Sequence, residues 1–200
     1  MNDSRTCPYV GRGGLKLRHA LHLFKVDVNA STCADFGCNV GGFTDCLLQA
    51  GAARVFAVDT GYGALAWTLR IDPRVTVMER TNALHAEPPS EPVDLVVIDM
   101  AWTPQKLCIP SALKWLRPEG RIITLIKPHY EATHGPEKDR VRDGVLDEAD
   151  AHTVLDRVVA ELPSHGVRVS GVTRSPVFGG AGKKNARGNI EFLALLERGA

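Results

Sequence analysis

The segment 32-TCADFGCNVGGFT-44 joins a short apolar run to a turn that contains three glycines. The apolar run has the length and composition of a buried strand, and the residues from Phe43 onward follow a helical pattern. Because glycine has no Cβ, the backbone can bend sharply there and approach a ligand, whose carboxylate or phosphate the helix amides can bind. A strand, a glycine-rich turn and a helix form the nucleotide site of doubly wound sheets. The segment therefore predicts an α/β fold with a ligand site at 35–43.

Outward from this segment, strand-like apolar runs alternate with stretches of helical periodicity. The predicted strands are 32–36, 54–58, 75–78, 95–98, 122–126, 167–172 and 190–196. The predicted helices are 15–24, 43–50, 64–69, 104–116 and 148–162. This alternation indicates a mostly parallel sheet with helices on both faces. Since no helix separates the last two strands, the last strand is predicted to be antiparallel.

The residues around the turn favour one kind of ligand. Asp59 ends the second predicted strand, where a carboxylate can accept hydrogen bonds from both hydroxyls of a ribose. The turn reads D-x-G-x-x-x-G-G and not G-x-G-x-x-G, which favours an amino acid moiety over a pyrophosphate and is consistent with S-adenosylmethionine. Thr81 and Asn82 follow the third strand, where they could contact an adenine ring. A purely conformational role of the glycines and ordinary loop polarity at 81–82 are the alternatives.

Two charged residues end apolar strands at the edge where open α/β sheets bind their ligands. Asp99 follows the fourth strand, and Lys127 follows the fifth and precedes Pro128. Charges in these positions are not expected to pack in the core. A structural ion pair between the two is the alternative to a catalytic role.

From Gly11 to its carboxyl terminus, the chain resembles the FtsJ-like ribose methyltransferases, and more closely the TlyA family of ribosomal RNA 2'-O-methyltransferases. The segments that carry the resemblance are GRGGLKL, DFGCNVGGFTDCLLQAGA, VFAVDTGYGAL, RTNA, LVVIDM, TLIKPHYEA and GNIEFL. The resemblance implies a Rossmann-like class I methyltransferase fold with a seven-stranded sheet. It also implies S-adenosyl-L-methionine as the cofactor. We expect one FtsJ-like domain over residues 1–200, a length that suffices for a single core.

The resemblance also implies the site residues. A Lys-Asp-Lys-Glu tetrad falls on Lys16, Asp99, Lys127 and Glu191. The implied cofactor contacts are Asp35, Gly37, Cys38, Asn39, Gly41, Gly42, Phe43, Asp59, Thr60, Thr81, Asn82 and Asp99. Methyl transfer requires a ribose 2'-oxygen to attack the methyl group of a sulfonium while it loses a proton, so it needs positioning and a base. We expect Lys127 to accept the proton, Lys16 to orient ribose and phosphate, and the two carboxylates to hold both amines.

RNA is the expected partner, in the form of ribosomal RNA or a ribosomal subunit. The net charge of +1 gives no global sign of nucleic-acid binding, so any attraction must come from local clusters of cations. Basic residues do cluster near both ends, at Arg5, Arg12, Lys16, Arg18 and Lys25, and at Arg174, Lys183, Lys184 and Arg187, with ordinary solvated faces as the alternative. The small amino-terminal RNA-binding domain of TlyA proteins has no counterpart before Gly11. Recognition is therefore expected from these clusters, from the loop 131–145 or from a partner protein.

Aromatic residues near the predicted site leave their roles open. His129 and Tyr130 replace the Gln-Phe pair that the resemblance leads us to expect after Lys127-Pro128. They could stack on a base or pack in the protein. Trp102 could line the substrate cleft or belong to the core.

Other features exclude several classes of protein. The five cysteines contain no CxxC pair and the histidines show no ligand spacing, so we predict reduced thiols and no metal site. The amino terminus has no apolar core, and no run reaches the roughly 20 apolar residues of a membrane span, so a cytoplasmic protein without a membrane role is expected. A small-molecule O-methyltransferase and a non-catalytic RNA-binding or membrane-active protein remain as alternative functions. The complete tetrad argues against the second of these.

Overall fold

The computed structural model describes residues 7–180 and 188–199, in which seven strands form one sheet. The strands are β1 Thr32–Phe36, β2 Arg54–Val58, β3 Val75–Met78, β4 Val93–Ile98, β5 Leu116–Ile126, β6 Val167–Arg174 and β7 Phe192–Arg198. The helices are α1 Gly13–Leu23, α2 Gly42–Gln49, α3 Trp67–Arg70, α4 Gln105–Trp115, α5 Pro128–Thr133 and α6 Glu148–Glu161, with short 3-10 turns at Lys138–Arg140 and Leu162–His165.

The strand order across the sheet is β3-β2-β1-β4-β5-β7-β6. Strand β1 pairs in parallel with both β2 and β4, so the direction of winding reverses there and the carboxyl ends of these strands flank a crevice. Strand β7 lies antiparallel between β5 and β6. The predicted mostly parallel, seven-stranded class I arrangement with an antiparallel last strand is confirmed.

Helices cover both faces of the sheet, as predicted. On one face, buried residues of α4 and α6 pack on alternate positions of β1, β4 and β5, around Trp115. The Trp115 ring meets the edges of Phe36 and Phe56 at centroid distances of 5.1 and 6.0 Å. On the other face, α1 and α2 bury their apolar sides on the opposite positions of the same strands. The core therefore holds the ends of the strands in place, and Asp59, Asp99 and Lys127 directly follow three of these ends.

Two connections differ from the sequence prediction. The helix predicted at 64–69 is only α3, because the backbone at Ala66 is extended and its N–H donates to the Val40 carbonyl in the glycine turn at 3.1 Å. The segment 131–145 is not one loop, since its start belongs to α5 and a 3-10 turn follows. Pro128 stands in the first turn of α5, where its fixed φ favours a helix and its missing N–H costs no hydrogen bond.

None of the helices in residues 7–180 and 188–199 combines the length and the hydropathy of a membrane span.

Candidate active site

The carboxyl ends of the strands border a cleft of about 740 Å³. The ends of β1, β2 and β3 contribute the glycine turn, Asp59 and the segment 81–84 to one part of it. We call this part the turn half. The ends of β4 and β5, the segment before β7 and helix α1 contribute the other part, which contains Lys16, Asp99, Lys127 and Glu191. We call this part the tetrad half. Ten of the predicted cofactor positions line the cleft, namely Gly37, Cys38, Asn39, Gly42, Phe43, Asp59, Thr60, Thr81, Asn82 and Asp99.

The glycine turn needs glycine at two positions with left-handed backbone. At Gly37, where φ is 84°, a Cβ would lie 2.8 Å from the carbonyl oxygen of Asp99. At Gly41, where φ is 99°, a Cβ would lie 2.2 Å from the Leu69 side chain. The glycines therefore let the turn pass close to its neighbours, while Gly41, which caps α2, does not itself line the cleft.

Asp59 holds the turn in place from the end of β2. Its Oδ2 accepts the Asn39 N–H at 2.8 Å, and its Oδ1 accepts the Gly61 N–H at 2.7 Å. Each oxygen keeps further acceptor capacity toward the cleft. In the segment after β3, Thr81 donates its hydroxyl to the Glu79 carbonyl, and Asn82 Oδ1 accepts the Leu84 N–H. These two side chains thus also stabilise the local turn, in line with the alternative that their polarity is that of an ordinary loop.

Asp35 lies behind the cleft and not in its lining. Its side chain is fully buried; Oδ2 accepts the Thr44 hydroxyl at 2.7 Å, and Oδ1 has no hydrogen-bond partner among the described residues. Burial and the nearby carboxylates of Asp99 and Asp59 raise the pKa of the Asp35 carboxyl, the Thr44 hydrogen bond opposes them, and the resulting pKa is about 7. This geometry does not support the predicted direct contact between Asp35 and the cofactor.

We predict that Asp35→Asn makes the protein more stable at pH 8 than the unchanged protein. Between about pH 4 and 7, the folded state binds more protons than the unfolded state at Asp35, so the stability that this group contributes is lost as the pH rises. Asparagine does not ionise, so this loss of stability does not occur in Asp35→Asn, and the amide oxygen can still accept the Thr44 hydrogen bond. The gain at pH 8 is expected to be roughly 2–4 kcal/mol. Urea unfolding of both proteins at pH 4.5 and pH 8 measures it, and an equal difference at the two pH values would contradict it.

The tetrad side chains meet as two ion pairs in the tetrad half. Lys127 Nζ lies 2.6 Å from Asp99 Oδ1 and also donates to the Met100 carbonyl at 3.2 Å. Lys16 Nζ lies 2.5 Å from Glu191 Oε2. The strand-end ion pair expected as an alternative therefore exists, within a cluster of four charges that line one cleft.

The second ion pair is the more deeply buried of the two. The side chains of Lys16 and Glu191 are 10% and 3% exposed. Burial raises the pKa of Glu191, while the Lys16 and Lys127 ammonium groups lower it. Helix α1 presents Lys16 beside its buried residues Leu17 and Ala20. The packing of α1 thus places the Lys16 ammonium next to the Glu191 carboxylate, which lies 175 positions away in the chain.

Three aromatic side chains of the cleft form a continuous group beside Lys127. The ring of Tyr130 lies 4.4 Å from that of Trp102 and 4.1 Å from that of His129, and Lys127 Nζ lies 5.7 Å from its centroid. Trp102 is 71% exposed and has a φ of 62°, a strained conformation for an aromatic residue. All three line the cleft, so the structure favours the cleft over the core for Trp102.

The segment before Lys16 also belongs to the site, although it was not predicted there. Gly11, Arg12 and Gly13 line the cleft, and a Cβ on Gly42 would lie 3.0 Å from the Gly14 amide. The repeated glycines in GRGGLKL were the available signal, because a close contact between two backbones requires glycine.

The basic clusters are only partly free to meet a ligand. Arg12 and Lys16 line the cleft, whereas the Arg174 guanidinium lies 2.8 Å from Glu148 and Arg18 lies over the Tyr9 ring. Arg5, Lys183, Lys184 and Arg187 lie outside the described residues. Within the part of the chain that is described, no group of His, Cys, Asp and Glu side chains could hold a metal, and all five cysteines are free thiols.

Comparisons with known proteins agree with this arrangement. The sequence profile of the FtsJ-like methyltransferase family matches residues 9–186. The chain is 39% identical over 192 residues to the 16S/23S rRNA (cytidine-2'-O)-methyltransferase TlyA of Mycobacterium tuberculosis, covering 94% of this chain and 68% of TlyA. It is 40% identical over 192 residues to YqxC of Bacillus subtilis, provisionally named an rRNA methyltransferase, covering 94% of this chain and 65% of YqxC. The chain thus spans about two thirds of the length of these relatives.

A solved structure has the same fold at similar identity. A provisionally named hemolysin from Streptococcus thermophilus superimposes with a TM-score of 0.89 at 38% identity, covering 98% of this chain and 70% of that one. The match of the family profile extends over most of the residues that form the sheet and the cleft. The chain therefore belongs to the FtsJ-like methyltransferase family.

Proposed function

We propose that this protein transfers a methyl group from S-adenosyl-L-methionine to the 2'-hydroxyl of a ribose in RNA, with ribosomal RNA as the expected substrate. The observation that carries the proposal is the pair of lysine–carboxylate contacts, Lys127–Asp99 and Lys16–Glu191, in the same cleft as the glycine turn. The named reaction of TlyA, a 2'-O-methylation of cytidine in ribosomal RNA, gives the substrate class.

The turn half fits the cofactor. Gly37 and Gly42 line the cleft without a side chain, so a ligand can approach the backbone of the turn, which would hold the amino acid moiety. Asp59 has acceptor capacity left for ribose hydroxyls, and Thr81 and Asn82 line the part that would enclose the adenine. When bound, the cofactor supplies an electrophilic methyl group on a positively charged sulfur.

The tetrad half would hold and deprotonate the ribose. In this proposal the proton acceptor is Lys127 in its neutral amine form, and its contacts with Asp99 and the Met100 carbonyl keep Nζ at one place at the end of β5. Lys16, held by the buried Glu191, would orient the ribose and its phosphate.

RNA recognition is expected to need more than this cleft. Phosphate contacts give affinity but little specificity, and Arg12, Lys16 and Lys127 are the lysine and arginine side chains among the described residues that line the cleft. We therefore propose that a partner protein or further protein sequence contributes to the choice of the RNA site. A ribosomal substrate implies that the protein works in the cytoplasm.

The proposal is tested by transfer of label from S-adenosylmethionine to purified ribosomal RNA and ribosomal subunits, beside a set of catechol and phenol acceptors. We expect label in RNA and none in the small molecules. Transfer to the small molecules alone would favour a small-molecule O-methyltransferase. If the protein binds both the cofactor and RNA but methylates none of the acceptors, a non-catalytic RNA-binding protein would be favoured.

A further inference from the structure

His129 stands out among the residues of the tetrad half because no described residue forms a hydrogen bond with its side chain that would explain its burial. It lines the cleft two residues after Lys127, at the start of α5, and is 8% exposed. Its Nδ1 is buried and lacks a hydrogen-bond partner among the described residues. A buried polar atom without a partner lowers stability, so a role in binding is a reason to keep it.

The surroundings of His129 determine its charge. Burial, together with the positive charges of Lys127 and Lys16, lowers the pKa of His129 to about 4. At neutral pH, the ring is therefore neutral. A ring that resists protonation this strongly is a poor proton acceptor for a ribose hydroxyl, so a role as the general base is disfavoured.

The same surroundings indicate which nitrogen carries the proton. An unpartnered N–H buried at Nδ1 would lack an acceptor, whereas a proton on Nε2 leaves only a lone pair at the buried position. The Nε2 edge is then the part of the ring that can meet a ligand in the cleft. Tyr130, whose ring lies 4.1 Å away, limits movement of the imidazole on one side.

We propose that His129 is a substrate-positioning residue, whose neutral Nε2–H donates a hydrogen bond to an oxygen of the target nucleotide beside the two tetrad lysines. This inference rests on the proposed function. It concerns the nucleotide and not the cofactor, because His129 follows β5 in the tetrad half, whereas the glycine turn and Asp59 lie at β1 and β2. A third donor that is neutral can fix the nucleotide without adding charge next to Lys16 and Lys127.

The test compares His129→Gln, whose amide can donate in place of Nε2, with His129→Leu, which cannot donate. We expect kcat/KM for RNA to stay within about threefold in His129→Gln and to fall roughly tenfold or more in His129→Leu. The Kd for S-adenosylmethionine should change in neither variant. The Tm of His129→Leu should be unchanged or higher, because leucine removes the unpartnered Nδ1.

Two patterns would overturn this inference. If His129 only packs, leucine will retain more activity than glutamine. If His129 exchanges protons with the substrate, glutamine will be as inactive as leucine, and the pH profile of kcat will lose a limb in both variants.

A second measurement separates this inference from the proposed function. The ¹⁵N signals of the His129 ring, assigned by their absence in His129→Gln, are followed while cytidine 3'-monophosphate is added in the presence of S-adenosylhomocysteine. We expect a neutral ring protonated at Nε2, whose signals shift as the nucleotide binds. Such a shift in a protein that transfers no methyl group to RNA would refute the proposed function and leave the nucleotide contact in place. Unchanged ring signals, or full activity of His129→Leu on RNA, would refute the contact alone.

Discussion

Lys127→Ala is expected to lower kcat for methyl transfer by roughly 10³-fold or more, with little change in the Kd for S-adenosylmethionine. Lys127 Nζ lies 2.6 Å from Asp99 and at the end of a central strand, so removing it takes away both a fixed amine and the proton acceptor that we propose. The cofactor contacts that we expect lie mainly in the turn half and should persist. Single-turnover transfer at saturating cofactor measures the loss, and isothermal titration measures the Kd.

Lys127→Arg is the matched control for this prediction. Arginine keeps the positive charge and can pair with Asp99, but it does not lose its proton in proteins. If Lys127 accepts the proton, Lys127→Arg will be nearly as inactive as Lys127→Ala. If arginine restores most of the rate, the charge at this position is sufficient, and proximity in the cleft provides the catalysis.

Glu191→Leu is expected to destabilise the protein by roughly 3 kcal/mol, because it leaves the Lys16 ammonium buried without its partner. The double variant Lys16→Met/Glu191→Leu replaces both charges by apolar side chains of similar size. It should recover most of the lost stability, since a buried ion pair is often no more stabilising than a well-packed apolar pair. Urea unfolding of the three proteins measures both effects.

Activity distinguishes the two roles of this ion pair. We expect methyl transfer to RNA to be reduced at least roughly 100-fold in the single and the double variant, because Lys16 would no longer orient the ribose in either protein. Recovery of transfer together with stability in the double variant would show that the pair only supports the fold. Unchanged stability of Glu191→Leu would contradict the burial of the pair.

The features of the fold that depend on local patterns could be predicted from the sequence. Strands β1 and β2 and the glycine turn were predicted to the residue or close to it, because buried strands and positive-φ glycines leave strong local signals. Helix α3 was predicted too long, because a tertiary hydrogen bond from Ala66 to Val40 keeps the chain extended where the pattern is helical. Helix α5 was missed because six residues are too few to show periodicity.

The candidate site was predicted in its residue types but not in its contacts. The resemblance to the FtsJ-like family supplied the tetrad, while the pairing of Lys16 with Glu191 depends on how α1 packs beside β7. Asp35 belongs to the same motif as Gly37, yet its side chain lies behind the cleft, because side chains alternate along a strand and at its end one of them points into the core. The roles of His129 and Trp102 depend on burial and neighbouring rings, which leave no sequence pattern.

The position of the transferred methyl group tests the central claim most directly. The protein is incubated with S-adenosylmethionine that carries a labelled methyl group and with ribosomal subunits, and the RNA is digested to nucleosides and resolved by mass spectrometry. We predict label in a 2'-O-methylated nucleoside, with a linkage that resists alkali before digestion, and no label with Lys127→Arg. Label on a base, or label in ribose that persists in Lys127→Arg, would contradict the account of the tetrad as the site of ribose deprotonation.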